Sequence, residues 1–360
     1  MVLLCCSETW PGRVFAVIVL LILLFPLSLV LRWKLRSLFS CLRLLPWILL
    51  GLSLILFVGL HLNSPAGRGS EPGSSNVFLK EGTAYPRRAL TNLVPEIDQI
   101  KWGTYVVPYL DPIIDSEQGE RLRGLTMDLY RPMQDDPAWR ELGSALPWAY
   151  DELLGGTADS GHAYVYVPAT PVRGPRPAIL FLHGSAGNFK AYLYLWKELA
   201  DRAGYAIVAP TFGWGNWSRP GGVEVIARAR NWIDAQPELD GSRVLLAGLS
   251  NGGRGVCVEA RRQAGAYAGF VFISAVRDGE AFEALCRSGA WKDRRVLVLH
   301  GELDRRIPYE YALAGVKGLE EAGAAVRVKT YADEDHFLFF SKRNELLDEV
   351  EAWANAPTAP

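Results

Sequence analysis

An excess of charge of either sign is what this chain most clearly lacks. Its 360 residues hold 38 lysines and arginines against 39 aspartates and glutamates, a formal net charge of -1. No compositional case for nucleic-acid binding follows from that balance. Cysteine is scarce too. Cys5, Cys6 and Cys41 fall in or beside an apolar N-terminal segment, and only Cys257 and Cys286 remain, with no partner at metal-site spacing. A small disulfide scaffold is excluded; one bridge between Cys257 and Cys286 and two free thiols both stay open. No glycine-rich dinucleotide or phosphate motif is present, so neither a cofactor nor a metal is expected. No recognised lipidation motif surrounds Cys5 and Cys6. What the chain does have is 49 % apolar residues against 21 % charged ones, which excludes disorder.

The even balance hides two different objects. Residues 1–62 hold five basic residues and one acid, Glu8; the other 298 hold 33 basic and 38 acidic residues. Residues 14–31 and 44–62 are free of Asp, Glu, Lys and Arg. Each is long enough to cross about 27–29 Å of hydrocarbon as a helix. Pro26 and Pro46 shift or kink such helices without forbidding them. No small-residue cleavage site precedes Arg32, so two retained spans are expected rather than a signal peptide. The connector carries Arg32, Lys34, Arg36 and Arg43 and no acid. The positive-inside tendency puts it in the cytoplasm and the large domain on the extracytoplasmic or periplasmic side. No GxxxG pattern argues for self-association of the spans.

The expected organisation is therefore a two-span membrane anchor over 1–62, a Pro/Gly/Ser/Asn linker over 63–76, an N-terminal extension packed on the core over 77–161, and a core over 162–355. Within the core, short apolar runs at 162–167, 178–182, 205–209, 244–247, 270–273, 296–299 and 326–330 alternate with helical patterns at 189–202, 223–235, 252–263, 280–287, 309–321 and 340–353. That alternation predicts an α/β fold, a mostly parallel sheet covered by helices on both faces. Right-handed crossovers join such strands, and ligands bind beyond their carboxyl ends.

The strand ends carry the chemistry. Gly248-Leu249-Ser250-Asn251-Gly252-Gly253 is G-x-S-x-G between a strand and a helix. A serine on so sharp a turn needs neighbours with almost no side chain. The helix N-terminus behind it favours developing negative charge. A serine nucleophile needs a base, and His336, between the last strand and the last helix, is the candidate. Asp304, in the loop after the 296–299 strand, is the acid that would hold the ring's tautomer. Glu302 is its nearest rival, with Asp333 and Asp335 behind. An oxyanion hole needs two backbone N–H groups. Asn251 supplies one and the turn after the 178–182 strand the other, from Ser185 or the adjacent Gly184. His183 and His300 each stand just past a strand and before a glycine, and read as structural.

The order Ser250, Asp304, His336, with the His183-Gly184 turn and the Gly301-x-x-Asp304 loop, resembles the α/β-hydrolase superfamily over about residues 162–353. Within it the chain is most similar to dienelactone-hydrolase-like and prolyl-oligopeptidase-like serine esterases. A serine instead of a cysteine nucleophile argues against dienelactone chemistry itself. The absence of an HGGG run argues against the hormone-sensitive-lipase-like subgroup. The 22 residues from 274 to 295 leave no room for a large lid.

The resemblance implies a carboxylesterase-like serine hydrolase that works through an acyl-enzyme. Small or medium esters are the default substrates, and peptide or lipid-like ones the alternatives. Trp214 and Trp217, after the 205–209 strand, are candidates for an apolar substrate pocket. Arg219, Arg254 and Arg306 are candidate carboxylate partners. The other reading is a non-catalytic, membrane-tethered binding protein on a hydrolase fold.

Overall fold

The computed structural model describes residues 2–34, 44–70 and 72–357. Arg36, Cys41 and Arg43 lie outside the described residues. The chain divides into two compact units, Met1–Ala66 with Pro86–Asp135, and Gly67–Tyr85 with Asp136–Pro360.

The first unit is helical. After the short α1 (Val2–Cys6), α2 (Trp10–Lys34) and α3 (Leu45–Leu62) are each long and apolar enough to cross a membrane. Ile22, Leu23, Leu27, Leu54 and Ile55 stay exposed on them, as lipid-facing residues would. The hydroxyls of Ser28 and Ser53 donate back to the Phe25 and Leu49 carbonyls, so their polar atoms are satisfied inside the helix. Ile18, Leu60 and Leu93 pack together with Val14, Phe15, Leu56 and Phe57. The start of α2 therefore meets the end of α3, and the two form an antiparallel hairpin. α4 (Glu96–Leu110) and α5 (Ser116–Asp135) complete the unit. Asp98 of α4 accepts from the Glu8 N–H at 2.6 Å and from the Thr9 hydroxyl, while Thr9 Oγ1 accepts from Gly12 N–H at 3.1 Å. This chain of bonds occupies donors at the N-terminus of α2 that the helix cannot satisfy itself. The two apolar helices support a membrane-anchored topology.

The second unit is built on one eight-stranded sheet. Its strands are β1 (Gly73–Phe78), β2 (Asp159–Val167), β3 (Arg176–Leu182), β4 (Ala206–Phe212), β5 (Leu239–Leu249), β6 (Gly269–Ile273), β7 (Arg295–Gly301) and β8 (Ala325–Tyr331). The spatial order is β1-β2-β4-β3-β5-β6-β7-β8. β2 pairs antiparallel with both β1 and β4; every pair from β4 through to β8 is parallel. The helices are α6 (Pro137–Leu142), α7 (Leu146–Leu153), α8 (Lys190–Ala203), α9 (Gly222–Ala235), α10 (Gly252–Gln263), α11 (Gly279–Arg287), α12 (Tyr309–Glu321), α13 (Leu338–Ser341) and α14 (Arg343–Asn355). This is a mostly parallel α/β sheet with an α/β-hydrolase arrangement of strands and helices.

Both faces of the sheet are buried in its middle, from β3 to β7, which is why these strands carry apolar runs. On one face Leu180, Leu182, Val208, Leu246, Phe270 and Phe272 join Val225, Ile226, Ala229, Val256 and Ala260 of α9 and α10. On the other, Phe181 packs on Tyr192 and Trp196 of α8 and on Phe339 of α13. The outer strand β8 keeps Arg327 and Lys329 exposed, charges that discourage further pairing at a sheet edge.

Two boundaries differ from the sequence expectation. β1 begins at Gly73, inside the stretch read as a linker. The 77–161 stretch is divided, because residues 86–135 group with α2 and α3 whereas 136–161 group with the sheet. Polar β1 carries no apolar run to announce it; its order comes from pairing with β2 along six residues.

The direction of winding reverses between β3 and β5. From β3 the chain crosses to β4 on one side, then returns to β5 on the other. A crevice opens beyond the carboxyl ends at such a reversal, and the loops at 183–188 and 249–251 meet there.

Trp291, fully buried, packs on Phe270 and Phe272 with ring centroids 5.0 and 6.2 Å away. Its Nε1–H has no acceptor among the described residues. Trp291→Ala is therefore expected to destabilise the unit by about 3–5 kcal/mol. Trp291→Phe, which removes the unpaired donor as well as volume, is expected to cost well under half of that. Melting temperatures of the two variants beside wild type check the order.

Candidate active site

Ser250 follows β5 with a φ of +51°, a conformation costly for any residue with a side chain. Neighbouring backbone holds it there. Ser250 N–H donates to Ile273 O at 3.0 Å, and Ser250 O accepts from Gly253 N–H at 3.0 Å and Val276 N–H at 2.9 Å. The glycines around it are needed for space. A Cβ on Gly252 would lie 2.0 Å from Leu182 O, and one on Gly248 would lie 2.6 Å from Gly252 C. The turn thus presses against the end of β3 and lifts the hydroxyl out of the sheet.

His336 stands between β8 and α13, with Nε2 at 3.1 Å from Ser250 Oγ and Nδ1 at 2.8 Å from Asp304 Oδ2. A carboxylate only accepts, so Nδ1 carries the proton and the Nε2 lone pair faces the hydroxyl. The other oxygen of Asp304, Oδ1, accepts from the N–H groups of Arg306 and Ile307 at 2.9 and 2.8 Å. Burial alone would raise the Asp304 pKa. The hydrogen bond and charge of His336, with the Ile307 N–H and the charge of His300, outweigh it and hold the carboxyl below its ordinary value. Gly301 lets the two loops cross, because a Cβ there would lie 2.3 Å from Glu334 O. Of the rival acids, Glu302 takes the Thr330 hydroxyl at 2.7 Å and Asp335 the Phe337 N–H at 2.9 Å. Neither does what Asp304 does for the ring.

The two expected oxyanion donors lie side by side. Asn251 Nδ2 donates to Ser185 Oγ at 2.7 Å, and a Cβ on Gly184 would be 3.2 Å from Ser250 Cβ. Among the described residues, the backbone N–H groups of Asn251 and Ser185 have no acceptor. The Asn251 side chain had no sequence signal as a clamp between these loops, since its partner is 66 positions away.

The loop after β4 is fastened to the same turn. Ala186 N–H donates to Trp214 O at 3.1 Å, and a Cβ on Gly215 would be 2.2 Å from Gly184 O. Trp214 is partly exposed. Trp217 corrects the sequence expectation: it is fully buried, its Nε1–H donates to His183 O at 2.8 Å and its ring packs on Phe212. It supports the turn from behind and presents no surface to a ligand. Glu152 of α7, unmarked in the sequence, holds the loop by accepting from Trp214 N–H and pairing with Arg219 at 2.8 Å. Arg254 pairs with Asp278 at 2.8 Å. Neither Arg219 nor Arg254 is left free for a substrate carboxylate.

Two other histidines brace the loops. Phe212 N–H donates to His183 Nε2 at 3.1 Å, so Nδ1–H is the donor to Gly184 O at 2.8 Å. His162 sits between Thr211 Oγ1 and Asn76 Oδ1, both at 2.8 Å, and stacks on Trp148. Burial drives their pKa values down, to about 4 for His183 and about 3 for His162. His300 is buried with Nε2 at 2.9 Å from Ile307 O.

Chemically, the imidazole can take the proton of Ser250 Oγ while Asp304 stabilises the resulting imidazolium, with N–H donors at hand for a developing oxyanion.

Residues 269–357 match the prolyl oligopeptidase family. No curated protein matches the chain. Among solved structures the chain is similar to Est1E from Butyrivibrio proteoclasticus, at 15 % identity over 54 % of this chain and 95 % of that one, with a TM-score of 0.44. It is similar to an S-formylglutathione hydrolase from Agrobacterium tumefaciens, at 15 % identity over 54 % and 88 % and a TM-score of 0.43. It is also similar to FphF, a fluorophosphonate-binding serine hydrolase of Staphylococcus aureus, at 15 % identity over 54 % and 92 % and a TM-score of 0.45.

The buried histidines make stability depend on pH. Below an unfolded value of about 6.5 the unfolded chain takes up protons that the folded chain refuses, so stability is complete above that pH and falls as pH drops toward the folded values. The expected slope is about 1.4 kcal/mol per pH unit for each ring. Melting temperatures between pH 7 and pH 5 check it. His162→Gln, although less stable, is expected to lose less than wild type over that range, and an equal loss would show that His162 does not set the slope.

Proposed function

We propose that this chain is a membrane-anchored serine hydrolase that cleaves carboxylic esters through an acyl-enzyme. The observation that carries the reading is the pair of hydrogen bonds from His336, one to Ser250 Oγ at 3.1 Å and one to Asp304 Oδ2 at 2.8 Å. In this reading Ser250 is the nucleophile, His336 the general base and then acid, and Asp304 the ionised group that orients the ring. Oγ attacks the ester carbonyl as its proton moves to Nε2. The oxyanion is held by the N–H groups of Asn251 and Ser185, each worth about 3 kcal/mol if it behaves like such donors elsewhere. The carbonyl re-forms, the alcohol leaves with the proton from Nε2, and water deacylates Ser250 by the same route. Trp214, partly exposed on the adjacent loop, is the proposed wall of the acyl or alcohol pocket.

The reading extends to topology and family. The basic connector between the spans supports an extracytoplasmic catalytic unit. The short His183-Gly184 turn and the GxSxGG elbow support a place among dienelactone-hydrolase-like and prolyl-oligopeptidase-like esterases. A second reading, a serine peptidase, is favoured by the match of residues 269–357 to the prolyl oligopeptidase family; the same triad can open amides.

Fluorophosphonate labelling of the solubilised full chain tests the proposal. Wild type is expected to label and Ser250→Ala is not. Asp304→Asn is expected to lower esterase kcat by about 10³-fold or more while the protein stays folded. Hydrolysis of p-nitrophenyl esters against peptide anilides separates the two readings. Folded wild-type protein that never labels would remove both.

A further inference from the structure

Arg277 carries a charge without a counter-ion among the described residues. It follows β6 on the way into α11 and is 3 % exposed. Its Nη2 donates to the Tyr311 and Ala312 carbonyls at 3.0 and 3.1 Å. The Tyr311 side chain is a further hydrogen-bond partner, but among the described residues no carboxylate pairs with the guanidinium. The neighbouring Asp278 is paired with Arg254 at 2.8 Å. Three rings surround the group, Tyr311 at 5.2 Å, Phe282 at 5.4 Å and Phe272 at 6.0 Å. Burial lowers the Arg277 pKa, yet an arginine stays protonated in proteins. Carbonyl oxygens and π faces offset part of the cost of burying that charge, and a carboxylate would offset far more.

The same guanidinium lines a cleft of about 670 Å³ between α11 and α12. None of Ser250, Asp304 and His336 lines it. Phe282, Cys286 and Tyr311 give it apolar and aromatic walls. Gly315 makes room for the guanidinium, because a Cβ there would lie 2.2 Å from Arg277 Cζ. Glu283 and Glu321 also line the cleft with mostly exposed side chains. Each is paired with a cation at 3.7 Å, Glu283 with Arg287, itself a wall residue, and Glu321 with Lys317. The volume suits a small organic molecule rather than a bare ion.

We propose that this cleft is a ligand site for a monocarboxylate with an apolar or aromatic body, its carboxylate seated on the Arg277 guanidinium as the counter-ion that the described residues do not supply. The body of the ligand lies against Phe282 and Tyr311. The site is separate from the triad, and its occupancy does not depend on hydrolysis.

Cys286, a free and partly exposed wall residue, reports on the cleft locally. The full chain in detergent is treated with N-ethylmaleimide, and modification of Cys286 is followed by peptide mass spectrometry. Phenylacetate at saturation is expected to slow that modification about tenfold, in proportion to occupancy. Neutral phenylacetamide and inorganic phosphate are each expected to slow it less than twofold by the same relation. Arg277→Gln, and Gly315→Ala, which pushes the guanidinium aside, are both expected to abolish the protection. Should neither variant fold, the comparison of the three probes on wild type decides alone. Equal protection by phenylacetamide or by phosphate, no protection by phenylacetate, or protection that survives in a folded Arg277→Gln protein would overturn the proposal.

Discussion

The backbone of Ser250, held at φ +51° by hydrogen bonds to the end of β6 and the loop beyond it, is the constraint on which the site depends. Left to itself this residue would relax into an ordinary conformation and withdraw its hydroxyl. Ile273 O and Val276 N–H hold it from the next strand, while the missing side chains of Gly248 and Gly252 let β3 and α10 close around it. The strain is local, but the parallel sheet supplies the rigidity that sustains it. Because β5 lies between β3 and β6, the same turn is within reach of the 183–188 loop on one side and the 274–276 loop on the other.

The remaining groups arrive by the same logic. Asp304 follows β7 and His336 follows β8, successive strands with parallel register, so their loops emerge at one end of the sheet. Gly301 removes the side chain that would keep these loops apart. Asp304 spends one oxygen on backbone N–H groups and the other on His336, which fixes the ring's tautomer. Behind the site, His183 and Trp217 tie the loop after β4 to the turn after β3, and Glu152 ties the same loop to α7. Their hydrogen bonds are buried or tightly fastened, which suits groups that must be in place before charge develops.

Much of this was legible in the residue order. The core strands β2 to β8 contain the apolar runs that announced them, save that β4 begins one residue later than its run, and α8 to α12 match the helical patterns to within a residue or two. The triad could be read because each member follows a strand, a place where few roles compete. Three features escaped for physical reasons. β1 is polar and is ordered by pairing with β2, not by burying an apolar face. Trp217 follows a strand end, a place that suggested a pocket wall, but its indole N–H has a buried acceptor on the turn after β3. The helices between 86 and 135 group with the apolar hairpin through contacts such as Asp98 with Thr9, which join residues 89 positions apart and leave no periodic trace.

The measurement that bears most directly on the central claim is an acid-quenched peptide map of the full chain during turnover of a p-nitrophenyl ester. The account predicts an acyl group on Ser250 in wild type, and no comparable turnover in Ser250→Ala. An acyl group on a different residue, or undiminished turnover in folded Ser250→Ala protein, would contradict it.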